Sequence, residues 1–288
     1  MLFLSAQKTA YIKDPIIYGT DSLMLDLEDA VSVNQKDAAR FSMYHAMTSI
    51  DYGITEMIVR INGLDTPYWQ EDIRACVAAG VDGIRIAKCE SAQDVRLIEE
   101  HVLAAEKEFG IEEGRTLLIA ALETPLGILN AYQVASASER LFGIAISGGD
   151  LRRTLQVDNS ASGIELLHSR GMVVLAARAA NIQCFDTVFT DLSDTEGFER
   201  EVRLDKELGF DGKSLINPKQ IQAVHQAFTP TAKEIANAEK TVRVLCENRD
   251  KGTGVFTVDG KMLDIAFLPG AKRTIALAKA CGIYKGDL

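Results

Sequence analysis

The chain has 288 residues, 31 Lys and Arg against 41 Asp and Glu, and a formal net charge of -10. Its 47% hydrophobic and 25% charged residues are globular proportions, which exclude disordered, collagen-like and low-complexity classes. An acidic chain with no basic run repels phosphodiester backbones, and no stretch of about 20 apolar residues is present to cross a bilayer, so neither nucleic acid nor membrane is an expected partner. The N-terminus shows no basic segment followed by an apolar core, which points to the cytoplasm.

Short runs rich in Val, Ile and Leu alternate with longer amphipathic stretches, the pattern of βα units and a parallel sheet. Strands are expected near Leu2–Leu4, Leu23–Leu27, Met57–Ile61, Gly83–Ala87, Leu117–Leu122, Phe142–Ile146, Phe185–Phe189 and Lys213–Ile216. Helices are expected between them, among them Lys36–Ile50, Gln93–Phe109 and Ile164–Ala180. Eight such units predict a (β/α)8 TIM barrel over residues 1–228. Thr229-Pro230-Thr231 interrupts the rhythm, because proline disfavours helix in its predecessor and starts new helices well. Residues 229–288 then read as a helix (Ala232–Arg249), a hairpin (Gly254–Leu263, turning at Asp259-Gly260) and a last helix (Lys272–Ala280). About sixty residues bury little core alone, so this segment is expected to act as a lid or oligomerisation element, packed on the barrel or on a neighbouring subunit.

The five cysteines show no Cys-x-x-Cys spacing, so neither a zinc site nor a redox pair is signalled. His45, His101, His168 and His225 all fall in expected helices and share no close spacing, which leaves no zinc-protease or His-triad pattern. Gly212-Lys213-Ser214 looks like the end of a P-loop, but Glu207 stands where the first glycine is needed, so a nucleotide triphosphate site is rejected.

Barrel active sites lie at the carboxyl ends of the strands, so polar residues just after each apolar run carry the most weight. Strand two leads into Asp26, Glu28 and Asp29, strand three contains Arg60 and ends at Asn62, and strand four ends at Lys88. Strand five ends at Glu123, and strand six leads through Ser147-Gly148-Gly149 to Asp150. Glu123 and Asp150 are suited to bind one hard cation, Mg2+ with Mn2+ as a possible substitute, because no His or Cys stands near to favour a softer metal. Each also has a structural alternative, Glu123 as a cap for the helix starting at Thr124-Pro125 and Asp150 as a cap for another turn. Arg60 offers a planar fork for a substrate carboxylate, or an ion pair with Glu28 or Asp29 that would fix it in place. The Gly148 and Gly149 amides are candidate anion donors, although a tight turn explains the glycines equally well.

At these residues the chain resembles the citrate lyase beta subunits of the citrate lyase and HpcH/HpaI aldolase superfamily. The resemblance is carried by Asp21-Ser22-Leu23-Met24-Leu25-Asp26-Leu27-Glu28-Asp29-Ala30-Val31, Lys36-Asp37-Ala38-Ala39-Arg40, Val59-Arg60-Ile61-Asn62-Gly63-Leu64-Asp65, Ala121-Leu122-Glu123 and Gly209-Phe210-Asp211-Gly212-Lys213-Ser214-Leu215-Ile216-Asn217-Pro218. It implies a magnesium-dependent lyase that cleaves a citryl thioester to oxaloacetate and an acetyl thioester, the acyl group riding on an acyl carrier protein or coenzyme A. It also implies Mg2+ on Glu123 and Asp150, a substrate carboxylate held by Arg60 with Gly148, Gly149 and Lys88 nearby, and Glu28 and Asp29 supporting Arg60. Asp264 is implied as a proton-transfer group reaching a neighbouring subunit's site, in a homo-oligomer that can include other citrate lyase subunits. Three departures stand out. Phe3-Leu4-Ser5-Ala6 replaces Phe-Val-Pro-Gly at the end of strand one, Gly148-Gly149-Asp150 replaces Ala-Glu-Asp, and Ala87 replaces the proline before Lys88. They keep two alternatives open: a lyase for citramalyl-CoA or malyl-CoA, or an aldolase releasing a 2-oxo acid; and a catalytically impaired paralogue that still binds metal and oxo acid.

Overall fold

A computed structural model describes residues 1–248, 255–258 and 261–288. Eight strands form one sheet in which every neighbour is parallel and the spatial order is the sequence order: β1 (Leu2–Ser5), β2 (Ser22–Asp26), β3 (Glu56–Arg60), β4 (Gly83–Ile86), β5 (Leu117–Leu122), β6 (Leu141–Ile146), β7 (Gln183–Asp186) and β8 (Gly212–Lys213). A parallel bridge between Leu2 and Leu215 brings the chain after β8 back to β1, with the Phe3 amide donating to the Leu215 carbonyl at 2.8 Å. This curled sheet is consistent with the expected barrel.

The strands read so plainly because both faces are covered: every residue of β2 and of β4 is buried, so apolar residues run continuously instead of alternating. Met24, Ile58, Ile119 and Ala145 form an inner core cluster from β2, β3, β5 and β6, with Phe3, Phe142 and Phe185 packed on it. Gly143 eases this packing, since a Cβ there would sit 3.0 Å from the Phe185 ring and 3.2 Å from the Gln183 carbonyl and both would have to give way. The helix Ala92–Phe109 starts at a capping box in which the Ser91 hydroxyl accepts from the Asp94 amide and the Asp94 carboxylate accepts from the Ser91 amide, and it stops at Gly110 in the left-handed region.

Two strands end earlier than expected. β7 stops at Asp186 because Thr187 and Val188 leave the sheet to line a cavity. β8 is only two residues long because Leu215 bonds to β1 instead of continuing beside β7.

Contacts divide the chain into two units, Met1–Val224 and His225–Leu288. In the second, helices Ala232–Asn248 and Leu268–Ala280 are held by Ala238, Val242, Ala271 and Ile275, and β9 (Val255–Val258) pairs antiparallel with β10 (Lys261–Asp264). The last helix begins before Lys272 because Pro269 suits its first turn. The expected turn at Asp259-Gly260 and the helix end at Arg249 lie outside the described residues.

Beneath β7 and β8, the fully buried Lys213 ammonium donates to Asp186 at 2.7 Å, Glu201 at 2.7 Å and Asp205 at 2.9 Å. Arg170 adds a bidentate pair to Asp186, 2.9 Å on each arm, and reaches Glu201 at 2.8 Å. Burial works to raise the Asp186 carboxyl, but Lys213 and Arg170 outweigh it and hold it well below the usual range. Removing one member of such a cluster leaves buried charge without a counterion. Lys213→Met is therefore expected to lose about 3–5 kcal/mol at neutral pH. Urea unfolding followed through the single tryptophan, buried Trp69 in the first unit, reads this directly. The Asp186 contribution is complete above about pH 4, its unfolded value, and is lost as acid carries the pH down through its lower folded value. The gap between wild type and variant should accordingly shrink in acid.

Candidate active site

Asp26 ends β2 opposite Arg60 at the end of β3. The Asp26 carboxylate accepts from Arg60 Nε and Nη2, both at 2.7 Å, and from the amides of Glu28 and Ala30, both at 3.0 Å. Burial raises the Asp26 carboxyl, yet the Arg60 hydrogen bonds and charge prevail and hold it below the ordinary carboxylate value. Arg60 Nη1 lies 3.0 Å from Glu28 Oε2, and Lys88 Nζ lies 2.8 Å from Glu28 Oε1. Lys88 is delivered there by a left-handed backbone, φ 50°, a conformation that non-glycine residues adopt at a cost.

This geometry amends the sequence expectations. Glu28 supports Arg60 as expected, but the main partner is Asp26. Asp29 is exposed, lines the cavity and makes no ion pair with Arg60 among the described residues. The bidentate edge of Arg60 is therefore committed to protein, and a ligand meets only its remaining N–H groups. Lys88 is committed to Glu28 and is not among the residues lining the cavity.

Glu123 directly follows β5 and is fully buried. It is not a helix cap: Thr124 caps the Pro125–Leu129 helix, its hydroxyl accepting from the Gly127 amide at 3.1 Å. Both Glu123 oxygens are buried without a hydrogen-bond partner among the described residues. Burial, then the charge of Glu28, pushes its carboxyl up to about 7 against the pull of Arg60 and Arg85, and Asp150 pushes the same way. Asp150 lies in the first turn of the Gly148–Leu155 helix, lines the cavity and pairs with Arg153. A buried carboxylate with two orphaned oxygens, near a second carboxylate that lines the cavity, could hold a hard divalent cation.

The Gly148 amide is not free for an anion, because it donates to Thr187 Oγ1 at 2.7 Å. Gly148 is needed for close approach, a Cβ there meeting Leu166 at 2.8 Å and Thr187 at 3.0 Å. Gly149 differs: a Cβ there meets nothing within 4 Å, and its amide is one of the first-turn donors that a helix leaves without an internal acceptor. Both glycines line a cavity of about 460 Å³ together with Phe3, Leu4 and Ser5 of the altered first strand. That volume suits a small metabolite.

Asp264 belongs to the second unit, where it ends β10 and caps the Ile265–Phe267 turn by accepting from the Ala266 amide at 2.8 Å. Asn62 and Asn217, also at strand ends, serve the fold: Asn62 donates to Asp72 at 2.6 Å and Asn217 caps the turn at Pro218.

Sequence reasoning missed Arg85, in the middle of β4, which lines the cavity at 2% exposure and touches Ser147 Oγ with Nη2 at 3.0 Å. The available signal was a lone charge inside an otherwise apolar strand. The cluster Asp186, Glu201 and Asp205 places three carboxylate oxygens within 4.8 Å of one another. It differs from Glu123 in having Lys213 and Arg170 as counterions, so it serves as a structural ion cluster.

Residues 1–218 match the HpcH/HpaI aldolase/citrate lyase family. The chain is 47% identical over 280 residues to the citrate lyase subunit beta of Leuconostoc mesenteroides subsp. cremoris, covering 97% of this chain and 93% of that one. It is 31% identical over 284 residues to a (3S)-malyl-CoA thioesterase of Cereibacter sphaeroides, covering 99% and 95%. Among solved structures it is similar to the Mycobacterium tuberculosis protein CitE in complex with magnesium, acetoacetate and coenzyme A, with a TM-score of 0.77 at 29% identity over 96% of this chain and 97% of that one. The strand order, the acidic pair beyond β5 and β6 and these matches agree: the chain belongs to the HpcH/HpaI aldolase/citrate lyase family.

Proposed function

We propose that this protein is a magnesium-dependent carbon–carbon lyase that cleaves a citryl thioester to oxaloacetate and an acetyl thioester. Glu123 carries the reading, because its two buried, donor-less oxygens stand near Asp150 in a chain 47% identical to a citrate lyase subunit beta. Glu123 and Asp150 would hold the ion. Magnesium bound there supplies Lewis acidity to the substrate hydroxyl and to the 2-oxo oxygen it becomes.

In the cleavage the tertiary hydroxyl gives up its proton, its oxygen becomes the ketone of oxaloacetate, and the electrons of the broken C–C bond pass to the thioester as an enolate. That enolate takes up one proton to become the acetyl thioester, so no further reactant is needed. Arg60, held flat by Asp26 and Glu28, presents its remaining N–H groups to the carboxylate beside the hydroxyl and orients it. The Gly149 amide is the glycine donor available to the same fragment. Asp264, on a segment over residues 229–288 that acts as a lid, transfers a proton in the site of a neighbouring copy. The protein works in the cytoplasm as a homo-oligomer, with other citrate lyase subunits as partners and the acyl group on an acyl carrier protein.

A second reading differs in the carrier and the acid: a lyase for a free coenzyme A ester such as malyl or citramalyl. It draws on the similarity to CitE bound to coenzyme A. Cleavage rates for citryl, citramalyl and malyl thioesters on each carrier separate the two.

Glu123→Gln should lower magnesium-dependent citryl thioester cleavage by at least ~100-fold, weaken magnesium binding in calorimetry and leave thermal unfolding nearly unchanged. Undiminished turnover with metal bound would overturn the assignment. Asp264→Asn and Arg60→Ala should each be inactive alone, whereas mixing the two under conditions of subunit exchange should restore part of the activity. Persistent inactivity in the mixture would place the whole site within one chain.

A further inference from the structure

We propose that Arg85 receives the second carboxylate of the oxo-acid fragment, so that this site selects thioesters whose 2-oxo-acid half is a dicarboxylate. The inference rests on the proposed lyase reading, and on Arg60 meeting the carboxylate beside the hydroxyl.

The cations around the cavity have unequal commitments. Arg60 is bidentate to Asp26 and paired with Glu28, and Lys88 is paired with the other oxygen of Glu28. Arg85 has no ion pair among the described residues. Its one hydrogen bond is to a neutral hydroxyl, Ser147 Oγ, while Nε and Nη1 are buried with no partner. Burial and the like charge of Arg60 lower it to about 10, so it remains a cation at neutral pH. A buried guanidinium with most of its donors unspent is unfavourable unless an anion arrives.

Its position states which anion. Arg85 and Arg60 are register partners on β4 and β3, both line the cavity, and the Phe3 ring lies 5.2 and 5.4 Å from their respective guanidinium carbons. Two adjacent guanidinium groups in one cavity match two carboxylates on one short fragment. Oxaloacetate has the second carboxylate one methylene beyond its oxo carbon, whereas glyoxylate and pyruvate, the fragments of malyl and citramalyl thioesters, have none. A fork that loses its carboxylate partner discriminates strongly, because the buried donors are then left unpaired.

The test uses the full-length protein with saturating magnesium and compares calorimetric affinities for oxaloacetate and pyruvate in wild type, Arg85→Met and Arg85→Lys. Wild type should favour oxaloacetate. Arg85→Met should lose roughly 10- to 100-fold in oxaloacetate affinity, with pyruvate affinity little changed. Arg85→Lys, which keeps the buried charge and hence a folded protein, should fall between them in selectivity. An unchanged oxaloacetate-to-pyruvate ratio in Arg85→Lys, or a parallel loss for both acids in Arg85→Met, would overturn the assignment and make Arg85 a structural cation. Wild type that binds neither acid would instead overturn the lyase reading, and the assignment with it.

Discussion

Asp26 is the fixed point of the strand mouths. Its carboxylate takes two hydrogen bonds from Arg60 across the sheet and two from backbone amides of its own loop, so one buried group ties β2, β3 and the chain leaving β2 together. The consequences spread outward in alternating charge. Arg60, once held flat, meets Glu28, and Glu28 draws Lys88 in from a left-handed turn after β4. A charge-assisted network of this kind is stiff because moving any one member strands another in a medium of low polarity. Arg60 thus meets a ligand with little freedom left to lose, which is what a group that must orient a substrate needs.

The same network limits how anionic substrates are attracted. A net charge of -10 works against a polyanionic thioester, and at the mouth Arg60 and Lys88 are largely neutralised by Asp26 and Glu28. Asp29 and Asp150 add negative charge at the cavity, and Asp150 is only partly offset by its exposed partner Arg153. Local attraction must come from groups whose charge is not already spent. Arg85 is one such group within the chain, and a divalent ion on Glu123 and Asp150 is the other in the proposed reading. The Glu123 carboxyl, pushed up to about 7 by burial and Glu28, would return to its ionised form beside such an ion.

How much of this was written in the sequence depends on whether a contact is local or crosses strands. All eight strands were legible because a parallel sheet covered on both faces turns each strand into an unbroken apolar run. Glu123 and Asp150 were legible as carboxylates just beyond apolar runs, since position along a run already says which end of the sheet a residue lies near. Asp26 was not distinguished from Asp29, because their roles differ through the register that sets Asp26 opposite Arg60, and register across a crossover of some thirty residues leaves no local mark. The Gly148 amide was misjudged for the same reason, its acceptor Thr187 lying after another strand. Lys213 was read as the start of β8, which it is, but the three carboxylates it gathers come from β7 and from a helix.

Two buried charge clusters in one sheet show which kind of incompleteness points to chemistry. Around Lys213 there are three carboxylates and two cations, and each carboxylate has a charged partner at 2.9 Å or less. By proximity alone this is the better candidate for a metal, yet an ion entering there would have to displace partners already in place, at the cost of stranding Lys213 and Arg170. At the strand mouths Glu123 has two oxygens without a donor and Arg85 two nitrogens without an acceptor, although the two groups feel each other's charge. The two form no hydrogen bond with each other, and Arg85 lines the cavity. Kept separate, the carboxylate can take a cation and the guanidinium an anion, and a substrate that brings a hydroxyl oxygen to the metal and a carboxylate to the guanidinium completes both.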